Sequence, residues 1–305
     1  MTKVFIDGSA GTTGLKIKNR LEKRTDITLI TLKEEERKDL NSRIEAIKSS
    51  DISFLCLPDK AATEIAEKTK NFDSVIIDTS TAHRTDKNWT YGFSEIVGKE
   101  TIRNSRLISN PGCHASGFIA LVNPLIKNNV VDKNTLFNCF SITGYSGGGK
   151  GMIAEYSENN NKLLNAPRMY ALTQEHKHLK EMAYYTKIEN PPIFTPIVAP
   201  FYSGMEVTVP LFKKDLKISV EELKKLYKQT YNGNIVYFND NPDENGFMSA
   251  AALSEKDSME ISVLGNEERI LLVSRYDNLG KGASGAAIQN MNIVLGLNEE
   301  TGLNI

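Results

Sequence analysis

Three cysteines and four histidines carry the nucleophile and base chemistry available to this chain, and one cysteine stands apart from the others. Cys113 follows Asn110-Pro111-Gly112 and precedes His114-Ala115-Ser116-Gly117 and the apolar run Phe118-Ile119-Ala120-Leu121. Proline and glycine punctuate, and the apolar run then starts a helix. That places the thiol in a first turn, where the positive end of the helix dipole favours thiolate, the nucleophilic form. Cys56, inside Phe54-Leu55-Cys56-Leu57, and Cys139, inside another apolar strand, read as inert core residues. A nucleophile needs a base. His114 adjoins Cys113, but successive helical residues point about 100° apart, which makes it a poor partner. His176 and His178 lie in Thr173-Gln174-Glu175-His176-Lys177-His178. On one continuous helix they face nearly opposite sides, so at most one serves Cys113; the competing reading is two surface histidines on a charged helix. With no Cys-x-x-Cys pair and no H-x-x-x-H spacing, no metal is expected.

A second chemical signal lies near the start. Val4-Phe5-Ile6-Asp7 reads as a strand and runs into Gly8-Ser9-Ala10-Gly11-Thr12-Thr13-Gly14, a G-x-x-G-x-x-G spacing. Glycines permit a tight turn and close backbone approach, and the helix that follows offers unpaired N–H groups to a pyrophosphate. Strand two ends in Thr31-Leu32-Lys33, without the acid that usually holds an NAD ribose. Glu34, Glu35 and Glu36 read as a solvated turn. With Lys33, Arg37 and Thr12 at hand, the expected cofactor is NADP.

These groups need a scaffold. Residues 4–7, 27–32, 52–57, 75–78 and 107–109 read as strands, with helices over 40–47 and 61–70 and a first helix carrying Leu15, Ile17 and Leu21. Short apolar strands separated by helices predict a parallel sheet covered on both faces. Beyond residue 112 the pattern changes. Strands over 136–143, 193–198, 205–211, 235–238, 261–264 and 270–275 alternate apolar and polar residues, as in Glu206-Val207-Thr208-Val209, which suits an antiparallel sheet with helices on one face. Helices are expected over 174–185, 220–231 and 283–297. The fold class is thus an α/β Rossmann-type dinucleotide-binding domain plus an α+β catalytic domain with a mostly antiparallel sheet. The first spans residues 1–112 and 280–305, the second 113–279. The loop 144–151, with glycines at 144, 147, 148, 149 and 151, reads as an anion-binding turn or a mobile hairpin connection. The one-sided sheet predicts a homodimer or homotetramer.

Composition closes off other classes. The chain has 305 residues, with Lys+Arg 37 against Asp+Glu 38. This balance gives no electrostatic footprint for nucleic acid or an anionic membrane. No apolar run approaches the roughly 18 residues of a bilayer span. Met1 leads almost directly into the first strand without a signal or transit pattern, so a reducing cytoplasm is expected.

In order and spacing, the motifs together resemble the N-acetyl-gamma-glutamyl-phosphate reductases in their short form. The resemblance rests on Gly8 to Gly14, Leu55-Cys56-Leu57-Pro58-Asp59, Ser80-Thr81-Ala82-His83-Arg84-Thr85, Asn110-Pro111-Gly112-Cys113, Gly144-Tyr145-Ser146-Gly147-Gly148-Gly149, His176-Lys177-His178 and Asp277-Asn278-Leu279-Gly280. It implies NADPH-dependent reduction of N-acetyl-L-glutamyl 5-phosphate to the 5-semialdehyde through a cysteine thioester, in arginine biosynthesis. It also implies roles. Cys113 is the nucleophile and His176 the acid/base residue, while Arg84, His178, Asn110 and Ser146 contact the substrate. Gly8, Ser9, Gly11, Thr12, Thr13, Gly14, Ser80, Gly148 and Asn278 contact NADP. His114-Ala115-Ser116 and Lys180-Glu181-Met182 depart from the usual pattern of such chains. The alternatives are a related phosphorylating dehydrogenase acting on aspartyl or aminoadipyl phosphate, and a dinucleotide-binding redox sensor without turnover.

Overall fold

The structure is a computed structural model and describes residues 1–158 and 161–305. The chain divides into two compact units, Met1–Pro111 with Ala283–Leu303, and Gly112–Gly282 with Asn304–Ile305.

The first unit begins with β1 (Thr2–Asp7), α1 (Thr12–Leu21), β2 (Ile27–Ile30), α2 (Leu40–Lys48), β3 (Ile52–Leu55), α3 (Asp59–Thr69) and β4 (Val75–Asp78). It continues through β5 (Thr90–Tyr91), α4 (Ser94–Val97), α5 (Lys99–Arg103) and β6 (Leu107–Ser109). All strands pair in parallel, in the order β2-β1-β3-β4-β6-β5. Alternation along β1 makes two cores. Val4 and Ile6 pack on one face with Ile17 and Leu21 of α1, while Phe5 faces Ala46 and Ile47 of α2 and Ile65 of α3. The order reverses at β1, where neighbouring strands lead away in opposite directions, and such a switch point opens a crevice beyond the strand ends.

The second unit opens with α6 (Cys113–Lys127), which is buried over most of its length. Then come β7 (Asn138–Gly144), α7 (Gly149–Glu158), β8 (Arg168–Met169), α8 (His178–Thr186), β9 (Ile193–Ala199), β10 (Met205–Phe212), α9 (Val220–Thr230), β11 (Val236–Phe238), β12 (Met259–Gly265) and β13 (Arg269–Tyr276). Their sheet runs β11-β12-β13-β10-β7-β9-β8. It is mixed: β7–β9 and β11–β12 are parallel and the other pairs antiparallel. The last helix, α10 (Gly285–Val294), returns to the first unit and packs Ile288 and Met291 into its core.

Two segments differ from expectation. The glycine-rich stretch after β7 is no hairpin connection. It folds as one 3-10 turn and then α7, with Tyr145 stacked on Tyr156, ring centroids 4.6 Å apart. Glycine lowers helix propensity, which hid α7 from periodicity. The helix expected over 174–185 starts only at His178. Gln174 adopts φ +57° and its side-chain amide pairs with both backbone groups of Phe194 on β9, so that stretch is tied to the sheet.

Gly117 allows α6 to lie against the sheet. A Cβ there would stand 2.6 Å from Ser274 Oγ, Tyr276 Oη and Val207 Cγ2. Gly117→Ala overpacks this contact, an effect of about 1–3 kcal/mol. The urea or thermal unfolding midpoint of the variant should fall clearly below that of the unmodified chain.

Candidate active site

In the first unit, a cavity of ≈ 420 Å³ opens beside the glycine loop, lined by Gly8, Ser9 and Ala10, the apolar Leu29, Ile30 and Leu32, and the cations Lys18, Arg37, Lys38 and Arg43. The loop requires its glycines. Gly8 holds φ +83°, and a Cβ on it would stand 2.2 Å from the carbonyl oxygen of Cys56; one on Gly14 would stand 2.4 Å from Gly8 O. Gly11 caps α1 without a side-chain bond, so first-turn N–H groups remain for a ligand. Thr12 Oγ1 is buried and, among the described residues, has no hydrogen-bond partner. A buried hydroxyl without a partner beside a helix start fits a phosphate group.

The charges around the cavity sort themselves. Arg43 donates to both carboxylate oxygens of Asp7 (2.8–3.1 Å). Burial raises the Asp7 pKa, and Arg43 and the Gly8 N–H oppose that rise. Arg37 and Lys38 line the cavity whereas Lys33 does not. Glu36 accepts the Lys33 backbone N–H at 3.0 Å and holds the 3-10 turn that carries Arg37.

Arg84 belongs to the same unit and sits on a loop organised by Asp78 at the end of β4. Asp78 accepts the backbone N–H of Ser80 (2.9 Å), its hydroxyl (2.7 Å) and His83 Nδ1–H (2.6 Å). His83 stacks on Trp89 at 4.1 Å. Ser80 is thus a strut of this loop. Buried Arg84 donates from Nε to Asn110 O (2.9 Å) and from Nη2 to Thr79 O (3.1 Å). The Asn110 side chain is tied up within the unit, donating to Ala283 O (3.0 Å) and accepting from Asn290 Nδ2 (3.3 Å).

In the second unit, Cys113 is the first residue of α6 and half-buried. Three residues distant in sequence hold it in place. Glu181 accepts the Gly112 N–H at 2.8 Å, fixing the helix cap. Tyr276 donates to Cys113 O (2.6 Å) and accepts Gly117 N–H (3.0 Å). Gly282 brings its backbone against the cysteine, where an added Cβ would stand 3.1 Å from Cys113 Cβ. The other thiols behave differently. Burial pushes the Cys56 thiol up to about 12, although the residue as a whole is only partly buried. Burial also pushes Cys139 well up.

Because α8 starts at His178, the opposite-faces argument for the histidine pair fails. His176 precedes the helix, and the two rings stand 4.6 Å apart. His176 Nδ1 accepts the His178 N–H at 3.1 Å, which puts the proton of a neutral ring on Nε2. His114 joins them, 5.9 Å from the His176 ring and 5.7 Å from the His178 ring. Sequence reasoning missed Tyr170, Tyr276 and Glu181, which no local motif marks. Ser146 and Asn278 pair with each other, Asn278 Nδ2 donating to Ser146 Oγ at 3.0 Å while its Oδ1 accepts the Gly204 N–H at 2.9 Å. Gly148 packs against Met152. Among the described residues no His, Cys, Asp and Glu cluster is arranged to hold a metal, and no helix is long and apolar enough to cross a membrane.

Comparison with known proteins follows the same division. The semialdehyde dehydrogenase NAD binding domain matches residues 3–105, and the semialdehyde dehydrogenase dimerisation domain matches residues 113–278. The chain belongs to the semialdehyde dehydrogenase family. It is 40% identical to N-acetyl-gamma-glutamyl-phosphate reductase 2 of Nostoc sp., over 99% of each chain. It is 39% identical to N-acetyl-gamma-glutamyl-phosphate reductase of Brucella ovis, over 96% of this chain and 99% of that one. The fold is shared with aspartate semialdehyde dehydrogenase II of Vibrio cholerae, at TM-score 0.73, 19% identity and 97% and 98% coverage.

The thiol environments predict selective labelling. Iodoacetamide on the native protein at neutral pH should modify Cys113 first, leaving Cys56 and Cys139 unmodified until denaturant is added. Peptide mass spectrometry reads the order, and early loss of Cys56 or Cys139 would contradict the assignment.

Proposed function

We propose that the protein is an NADPH-dependent reductase of N-acetyl-L-glutamyl 5-phosphate, releasing N-acetyl-L-glutamate 5-semialdehyde and phosphate in arginine biosynthesis. The observation that carries this reading is a half-buried cysteine anchored at a helix start and followed by His114, whose ring packs against those of His176 and His178, in a chain about 40% identical to reductases of that name over nearly its full length. In the first unit Gly8, Ser9, Gly11, Thr12, Thr13 and Gly14 hold the cofactor pyrophosphate. Arg37 and Lys38 favour the phosphate that distinguishes NADP. When bound, NADPH supplies the hydride.

The chain's own residues do the rest. Cys113 thiolate attacks the acyl carbon, a C–S bond forms, and the carbon–oxygen bond of the anhydride breaks to release phosphate. Arg84 grips the phosphate, and its carbonyl-held fork keeps a fixed plane for that contact. The product on Cys113 is a thioester. In each tetrahedral species the charged oxygen meets the Cys113 backbone N–H and the Nε2–H of His176. His176 thus works as the acid-side donor, a narrower role than general acid and base. His178 flanks the acyl chain, and Ser146 orients the Asn278 amide by accepting its Nδ2–H at 3.0 Å. Breaking the C–S bond returns the thiolate and frees the aldehyde. Each turnover consumes one hydride and one proton.

We also propose a homodimer or homotetramer in the cytoplasm. Phe140, Ile193, Leu271 and Phe212 are exposed and share the sheet face opposite Ser141 and Ser274. A reducing cytoplasm keeps an unpaired catalytic thiol from oxidation.

The deciding assay is NADP- and phosphate-dependent oxidation of N-acetyl-glutamate 5-semialdehyde, run beside aspartate semialdehyde. Preference for the second substrate, or turnover with neither, removes the proposal. Cys113→Ser should abolish turnover while NADPH binding persists. His176→Asn should slow kcat by about 10²-fold or more; a larger loss in His178→Asn would reverse the two roles. Arg84→Lys should raise KM for phosphate with little change in KM for NADP, since the bidentate fork is lost.

A further inference from the structure

His114 lies beside the nucleophile yet takes no part in the chemistry described above. It is almost fully buried in α6, with Nδ1 2.6 Å from Ser141 Oγ and Nε2 2.6 Å from Tyr170 Oη. Phe194 closes the pocket edge-on at 5.3 Å. Burial, with a smaller contribution from the charge of His176, pushes the imidazole down to about 3, so the ring is neutral at working pH. A neutral imidazole donates from one nitrogen and accepts at the other.

The network decides which. Ser141 sits on β7 with no exposure, and among the described residues its hydroxyl has one hydrogen-bond partner, His114 Nδ1. A buried hydroxyl proton without an acceptor is costly, whereas an unused lone pair is tolerated. Ser141 therefore donates to Nδ1. The His114 proton then lies on Nε2 and is donated to the Tyr170 oxygen. With that lone pair engaged, the Tyr170 proton points elsewhere, and the hydroxyl is a better donor for accepting a bond. Tyr170 is half-buried, its ring lies edge-on to His176 at 6.0 Å, and the Cys113 charge contributes to the upward shift of its phenol, second to burial. The hydroxyl thus belongs to the same cluster as the thiol and the His176 donor.

We propose that Tyr170 donates a hydrogen bond to the acyl oxygen of the Cys113-bound intermediate, and that Ser141 and His114 are positioning residues that fix its proton for this task. The proposal rests on the thioester reading above. It makes Tyr170 a catalytic residue and adds a second side-chain donor to His176 at the oxygen where charge builds.

The experiment measures kcat, with KM for NADP and phosphate, for semialdehyde oxidation by Tyr170→Phe, His114→Leu, His114→Gln, Ser141→Ala and the double variant His114→Leu/Tyr170→Phe. NADPH binding, read by fluorescence, checks the fold of each. Loss of one oxyanion donor should lower kcat of Tyr170→Phe by about 10²-fold. Neither cofactor nor phosphate KM should change. His114→Leu should lose a similar factor. His114→Gln, which restores an N–H toward Tyr170, should recover most of it. Ser141→Ala frees the ring to change tautomer and should show a partial loss. The double variant should be no slower than Tyr170→Phe, because His114 acts only through the phenol. Wild-type turnover in Tyr170→Phe, or losses that multiply in the double variant, would overturn the proposal. If His114→Leu fails to bind NADPH, Tyr170→Phe and Ser141→Ala still decide it. An active Cys113→Ser would instead overturn the thioester reading beneath it.

Discussion

The active-site chemistry depends on how the first turn of one helix is held. Helix α6 is apolar almost all round and lies inside the second unit, so its position is set by packing and leaves its first residue little freedom. Glu181 fixes the N–H of Gly112 before Cys113, and Tyr276 fixes the carbonyl of Cys113 itself. Gly117 removes the side chain that would hold the helix off the sheet. A thiol placed this way meets the helix's positive end, which favours the thiolate.

The histidines show how burial assigns roles. His176 is outside α8 and presents Nε2–H because its other nitrogen accepts a backbone N–H. His114 is buried and neutral, hydrogen-bonded on one side to Ser141 and on the other to the Tyr170 hydroxyl. His83, in the first unit, braces the loop of Arg84 through Asp78 and a stack on Trp89. Chemically identical side chains thus stand in three different hydrogen-bond settings. What separates them is the partner of each ring nitrogen.

The cofactor cradle rests on backbone more than on side chains. Gly8 and Gly14 are required because neighbouring carbonyl oxygens occupy the space a Cβ would fill. Arg43 is paired with Asp7, and the other cations that line the cavity are Lys18 on α1, itself paired with Glu22, and Arg37 and Lys38 on the 3-10 turn after β2. Of the three glutamates there, Glu36 holds the turn, and none of them lines the cavity, as the solvated-turn reading of the charges implied.

Local signals reported the glycine loop, the parallel strands of the first unit and the helix start at Cys113, because glycine geometry, continuous apolar runs and Pro-Gly punctuation act over a few residues. They failed where distant groups compete with local preference. Gln174 is drawn into pairing with β9, which delays α8 and brings His176 beside His178. Helix α7 follows glycines that score poorly as helix formers, and Tyr145 stacks across it. The sequence by itself determined which side chains can do chemistry and which turns carry them. Only the tertiary structure decided what each polar group faces, because Tyr170, Tyr276, Glu181 and Ser141 reach α6 from elements far along the chain, and hydrogen-bond partners are chosen by packing, not by spacing.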